Sequence, residues 1–183
     1  METATPWFPS WGLKFENSAI SITDLVNKFL KNRPNNRWLL ITKDAAASER
    51  HLWSTWYKME KNFLEHTALS KNPDAEFIRI ISGTHQLKTA FSRAGLNEND
   101  TQAWLIYLPQ SQENIDSLPK TSMTEFAESA QKLIYLIEAT LITERPKPSK
   151  KGLARLGIEF KGNDDSINDN LFISHLARSS LTS

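Results

Sequence analysis

The stretch "IISGTHQLKTAFSRAGL", residues 80–96, passes from β-branched apolar residues through a glycine turn into an amphipathic run that stops at a second glycine. With "EFIR" before it, the apolar run predicts a strand over 76–82. Leu87, Ala90, Phe91 and Ala94 recur at i, i+3, i+4 and i+7 and predict a helix, with Gly95 as its left-handed C-terminal cap. A strand that feeds a helix through a turn leaves backbone N–H groups at a partly positive helix start, which suits an anion. The same residues also have a purely structural use, since Ser82 or Thr84 can cap the helix while Gly83 supplies the bend. His85, Lys88 and Arg93 fall opposite the apolar stripe, so the turn and helix together are expected to present a modestly basic surface.

On the N-terminal side, "WGLKFEN" alternates apolar and polar residues as a half-buried strand does, and "SITDLVNKFLKN" places Ile22, Leu25, Val26, Phe29 and Leu30 on one helical face that Arg33-Pro34 ends. "RWLLIT" reads as a buried central strand. A long helix follows from about Ala46 to His66, with Leu52, Trp56, Met59 and Phe63 in line and Arg50, Lys58 and Lys61 on its other side, and it closes into the polar loop "SKNPDA". On the C-terminal side, "AWLIYLP" is a further strand, and a helix is expected over Met123 to Ile142, apolar nearly all round in "KLIYLIEATLI". Such a helix is either central or partnered. "TERPKPSKKG", residues 143–152, carries two prolines and four basic residues and reads as a flexible basic linker; "LFISHLARSSL" reads as a last helix. The whole is expected to be one compact α/β domain over residues 1–183, a mixed β-sheet covered by helices.

Composition limits what this domain can do. No run approaches the roughly 18 apolar residues of a membrane span, and the start lacks the basic and apolar regions of a signal peptide, so a cytoplasmic location without membrane partners is expected. With no cysteine, disulfides and thiolate metal sites are excluded. Lys plus Arg number 22 against 21 for Asp plus Glu, so any nucleic-acid contact has to be local. Six tryptophans are core candidates, or stacking and interface residues where exposed.

Catalytic signatures are missing from the chain. His51, His66, His85 and His175 lie far apart without metal-ligand spacing, and "SGTHQ" is neither a P-loop nor a dinucleotide fingerprint. No nucleophile elbow is present. The expectation is a binding module with no catalytic residues, no metal and no cofactor.

Two longer stretches, "WLLITKDAAASERHLWSTWYKMEKNFLEH" and "EFIRIISGTHQLKTAFSRAGLNENDTQAWLIYLP", carry a resemblance. Their order of apolar strand, short Ala/Ser connection with a histidine, long helix, strand, "SGT-x-Q" turn, helix ending in Gly95-Leu96 and further strand resembles the small TPRKB-like subunit of the KEOPS (EKC) complex over about seventy residues. The resemblance implies a non-catalytic subunit of the complex that installs threonylcarbamoyladenosine in tRNA. Such a subunit binds and stimulates the small atypical kinase/ATPase and recruits tRNA through its single-stranded 3′ CCA end.

In that role the amides of Ser82, Gly83 and Thr84 would meet phosphates, with His85, Lys88 and Arg93 adding donors or charge and Arg50 and Lys58 in second rank. Replacing Gly83 with a bulky residue, or Lys88 with Glu, is then expected to weaken tRNA binding while leaving the fold intact. The alternative is a pure protein-interaction subunit of the kinase that never touches RNA. Exposure of Ile134, Tyr135 or Leu141 would favour that alternative.

Overall fold

β2 (Trp38–Thr42) is buried along its whole length, and the reason sets the architecture. Successive strand residues point to opposite faces. Leu39 and Ile41 enter one apolar cluster with Trp104 and Ile106, while Trp38 and Leu40 enter another with Ala103 and Leu105. A strand covered on both faces needs a continuous apolar run, which "RWLLIT" supplies. β2 pairs with β3 (Gln102–Tyr107), β3 with β1 (Ser10–Lys14), and β1 with the short β4 (Thr140–Ile142), every pairing antiparallel, in the order β2-β3-β1-β4. The computed structural model describes residues 4–15, 20–111, 115, 117–119 and 123–181.

Helices cover both faces. α1 (Ile22–Asn32) and α5 (Met123–Leu136) bury Leu25, Phe29, Leu133 and Ile134 on one. On the other lie α2 (Glu49–Leu64), α3 (Pro73–Ile81), α4 (Leu87–Ala94), α6 (Lys150–Arg155) and α7 (Asp169–His175), the last continued by a 3-10 turn over Leu176–Ser180. The expected single α/β domain with a helix-covered sheet is thus present, and within it no described pairing is parallel.

The expected strand at 76–82 is a helix. α3 begins at Pro73 with Asn72 as its N-cap residue and Asp74 and Glu76 in its first turn, an arrangement that suits both the missing proline N–H and the positive end of the helix dipole. Phe77, Ile78, Ile80 and Ile81 are all buried, as are Glu76 before them and Arg79 among them, and an apolar run this short reads as a buried strand as readily as a helix. The start signal sits in "NPDA", which by its composition reads as part of a polar loop.

Two further boundaries differ. α5 ends at Leu136, not at Ile142; Glu138 takes a left-handed φ of 57° and reverses the chain into β4. Gly95 ends α4 with φ −70° and ψ 170°, extended and not left-handed. The segment at 143–152 lies against the domain through Arg145, which bonds the Ser10 carbonyl (2.8 Å) and Glu49 (2.5 Å), and through Lys43 to Glu144 (2.5 Å), before Ser149 caps α6.

Candidate functional site

The turn after Ile81 closes α3 before it opens α4. Its amides point backwards: Ser82 N–H donates to the Ile78 carbonyl, Gly83 N–H to Ile80 (3.0 Å) and Thr84 N–H to Arg79 (3.4 Å). With Gly83 left-handed at φ 65°, the last two bonds make the Schellman pattern that ends helices. The three amides expected to meet phosphates are therefore already bonded, because the element before the turn is a helix whose last carbonyls need donors. A side chain at Gly83 is excluded as well: a Cβ there would lie 2.3 Å from His175 Nε2 and 2.8 Å from the His175 carbonyl. The expectation that a bulky residue at this position leaves the fold intact is overturned.

Buried side chains lock the turn. Ser82 donates its hydroxyl to the Ala90 carbonyl (3.1 Å), and its own carbonyl accepts from Arg93 Nη1 (2.9 Å) and meets His175 Nε2 (3.1 Å). Arg79, 2 % exposed, bonds Glu76 and the carbonyls of Thr84 (3.2 Å) and Ser179, so α3, the turn and the C-terminal 3-10 turn share one guanidinium. Burial alone would raise the Glu76 carboxyl; hydrogen bonds from Arg79, Ser70 N–H and Asn62 outweigh it and hold the pKa below the usual range.

Outside this locked backbone lies an open cleft of about 450 Å³, walled by Thr84, His85, Gln86, Thr89 and Arg93 on one side and by Gly157, His175, Arg178 and Leu181 on the other. Thr84 Oγ accepts from Gln86 N–H (3.2 Å), which leaves its hydroxyl proton free to donate. Burial holds the His175 ring below the usual imidazole range, the bond to Ser82 acting against it and the charges of Arg93 and Arg178 acting with it. Among the described residues no carboxylate and no Phe, Tyr or Trp lines this cleft, whose aromatic rings are the imidazoles of His85 and His175.

The expected site residues divide. Gly83, Thr84, His85 and Arg93 line the cleft, and buried Ser82 supports it from behind. Lys88 is exposed on α4 but does not line it. Arg50 lies on α2, bonded to Asp169 (2.7 Å) and Asn170 (2.6 Å), the Asp169 bond raising its pKa. Lys58 is a half-exposed α2 residue whose pKa is lowered by burial and by the charges of Arg79 and Lys61. Arg178, in the C-terminal tail, was missed, because sequence order gives no sign that residue 178 faces residue 93.

A second concavity has the opposite character. A groove of about 160 Å³ runs along the outer edge of β2, between Leu30 on α1, Ile78 on α3, Phe91 on α4, and Leu96. Leu30 and Phe91 are 45 % and 47 % exposed although they lie on the apolar stripes of their helices. The Leu108 N–H donates to the Arg37 carbonyl, so the alternate residues Leu39 and Ile41 bond to β3 while Trp38 and Leu40 turn their backbone groups outward. Arg33 occupies the Trp38 carbonyl (2.9 Å) and pairs with Asp74 (2.6 Å). The N–H and C=O of Leu40 have no hydrogen-bond partner among the described residues.

At the other sheet edge Tyr135 is 84 % and Leu141 52 % exposed, whereas Ile134 is buried. Trp7 is the exposed tryptophan, with Arg145 4.8 Å from its ring centroid; the others are buried or half-buried. Among the described residues no group of three or more His, Asp or Glu is arranged to hold a metal ion, and no helix is long and apolar enough to cross a membrane. No protein-family model matches the chain, and no curated protein matches it.

Proposed function

We propose that this chain is a non-catalytic protein-binding module that takes up an extended, apolar segment of a partner protein along the free edge of β2. One observation carries the reading: the outward N–H and C=O of Leu40 open into a groove with apolar walls, two of whose side chains, Leu30 and Phe91, are about half exposed. An added strand bonds such an edge through its main chain and sets alternate side chains into the groove, which gives affinity and selectivity together. Unpaired edges are ordinarily blunted by charge, proline or a covering element; here Arg33 takes the Trp38 carbonyl and the Asn35 carbonyl takes the Trp38 N–H, while Leu40 has no partner among the described residues. The buried ionisable pair Glu76–Arg79 supports the non-catalytic part, since its bonds hold backbone and side chains of the fold together.

Selection from a random peptide display library tests this directly. The wild-type domain is expected to enrich peptides with apolar residues at alternate positions, and Phe91→Asp to lose them with an unchanged Tm. Peptides that bind Phe91→Asp equally well would remove the groove from consideration.

The finer role is that of a KEOPS subunit that binds and stimulates the atypical kinase/ATPase in the cytoplasm and recruits tRNA by its 3′ CCA end. It rests on the sequence resemblance, of which the strand before the turn is a helix in this chain. Under that reading the β2 groove is the kinase-binding surface, and purified kinase must bind the wild type and fail to bind Phe91→Asp. The RNA part stands or falls with a comparison of intact tRNA and tRNA lacking CCA across a salt series, because phosphate contacts weaken as salt rises.

A further inference from the structure

We propose that the cleft between the α3–α4 turn and the C-terminal 3-10 turn binds a phosphate monoester dianion, borne either by a small nucleotide-sized molecule or by the end of a nucleic-acid strand. The first support is a contrast among the arginines. Every arginine of the chain except Arg93 and Arg178 is ion-paired with a carboxylate, and those two line the same cleft. Among the described residues neither has an acidic partner and no carboxylate stands in the cleft wall. Two uncompensated guanidiniums on one concavity attract an anion, and their planar forks match phosphate oxygens.

Independent support comes from α4. Gln86, its N-cap residue, makes no side-chain cap, so the first-turn N–H groups stay open beside Gln86 and Thr89, both in the cleft wall. Arg93 is fixed in place by its bond to the Ser82 carbonyl, so binding does not have to order it. A volume of about 450 Å³ falls in the usual range for small-molecule sites. The two guanidiniums without a carboxylate partner make the phosphate the recognised group, and among the described residues the wall adds no Phe, Tyr or Trp beneath a base.

Amide NMR of the full chain, titrated separately with inorganic phosphate, adenosine monophosphate, a 5′-phosphorylated tetranucleotide and its dephosphorylated form, tests the site. Saturable shifts at Leu87, Lys88 and Thr89 are expected with the three probes that carry a phosphate dianion, and not with the dephosphorylated tetranucleotide, which has only phosphodiesters; Arg178→Gln should weaken them about tenfold or more. That substitution removes an exposed charge and leaves the 3-10 turn its backbone bonds. Equal affinity for the mononucleotide and the phosphorylated tetranucleotide would assign a small molecule; a preference of tenfold or more for the tetranucleotide would assign a strand end. Absence of saturable shifts, undiminished binding by Arg178→Gln, or equal binding of the dephosphorylated tetranucleotide would overturn the proposal. Phe91→Asp, on the far side of α4, is expected to bind phosphate as the wild type does, so this result is independent of the protein-docking reading.

Discussion

The groove at the β2 edge and the cleft at the α3–α4 turn are lined from opposite sides of α4, Phe91 on one and Thr89 and Arg93 on the other. They are built differently. The cleft is backed by buried groups bonded in pairs and to the turn, Arg79 with Glu76 and Ser82 with the His175 ring, with Gly83 pressed against His175. The groove is walled by side chains such as Leu30 and Phe91 that remain half in water. A residue already solvated in the folded state loses little when made polar, whereas a buried charge loses its whole compensation when its partner goes. Stability and binding should therefore separate between the two regions.

The largest test is Arg79→Ala, which leaves the Glu76 carboxylate buried without its cation and is expected to cost about 3–5 kcal/mol. Chemical denaturation reads it directly, and a loss below about 1 kcal/mol would break the contrast. Gly83→Ala comes next: left-handed strain and collision with His175 together are expected to cost about 2–4 kcal/mol. That loss should appear in the denaturation midpoint whether or not any ligand is present.

A pH series gives the third. His51 is fully buried; its Nδ1 accepts from Ala47 N–H (3.1 Å), and burial lowers its pKa from 6.5 to about 3. Its folded-state preference for the neutral ring is fully expressed above pH 6.5. Below that the unfolded chain binds the extra proton, so stability falls as pH drops towards 3, by about 2 kcal/mol from this residue at pH 5. The lowered His175 acts in the same direction, while Asp100, Asp169 and Glu76, all lowered, lose their contributions only below the ordinary carboxylate range. His51→Asn, whose Oδ1 can accept from Ala47 as Nδ1 does, should flatten the decline between pH 6.5 and 5; an unchanged slope there would clear His51.

On the groove side, Phe91→Asp is expected to shift stability by no more than about 0.5 kcal/mol. The smallest effect on stability is expected for Lys88→Glu, a few tenths of a kcal/mol at most, and it should weaken phosphate binding less than Arg178→Gln does, because the exposed Lys88 side chain lines neither concavity. A large loss of phosphate binding in that variant would move the anion site onto the outer face of α4.

Much of the fold is legible in the residues. β1, α1, β2, α2, α4 and β3 lie where period and punctuation put them, because each has either a clear apolar stripe or a run closed by turn residues. α3 reads as a strand for a definite reason: its apolar run, Phe77 to Ile81, is too short for its spacing to decide, and its start signal depends on taking Asn72-Pro73-Asp74 as cap, first position and acidic first turn. The end of α5 is not legible in the sequence, because Glu138 takes its left-handed turn without the glycine that marks such a place. Of the cleft, the Gly83–His85 turn and Arg93 were visible, because they lie within eleven residues of one another in one local motif.

By itself the sequence determined that the chain can bury a core on two sheet faces, that it holds no cysteine chemistry, and which runs supply the strands and most helices, since composition and local period act over a few residues. Only the tertiary structure decided the rest. It placed Arg178 and His175 opposite Arg93, joined the amides of 82–84 to the end of α3, and left Leu40 facing an open groove. Those outcomes depend on which buried partners meet across some eighty residues of chain, and on which edge of a sheet remains unpaired once the helices have covered its faces.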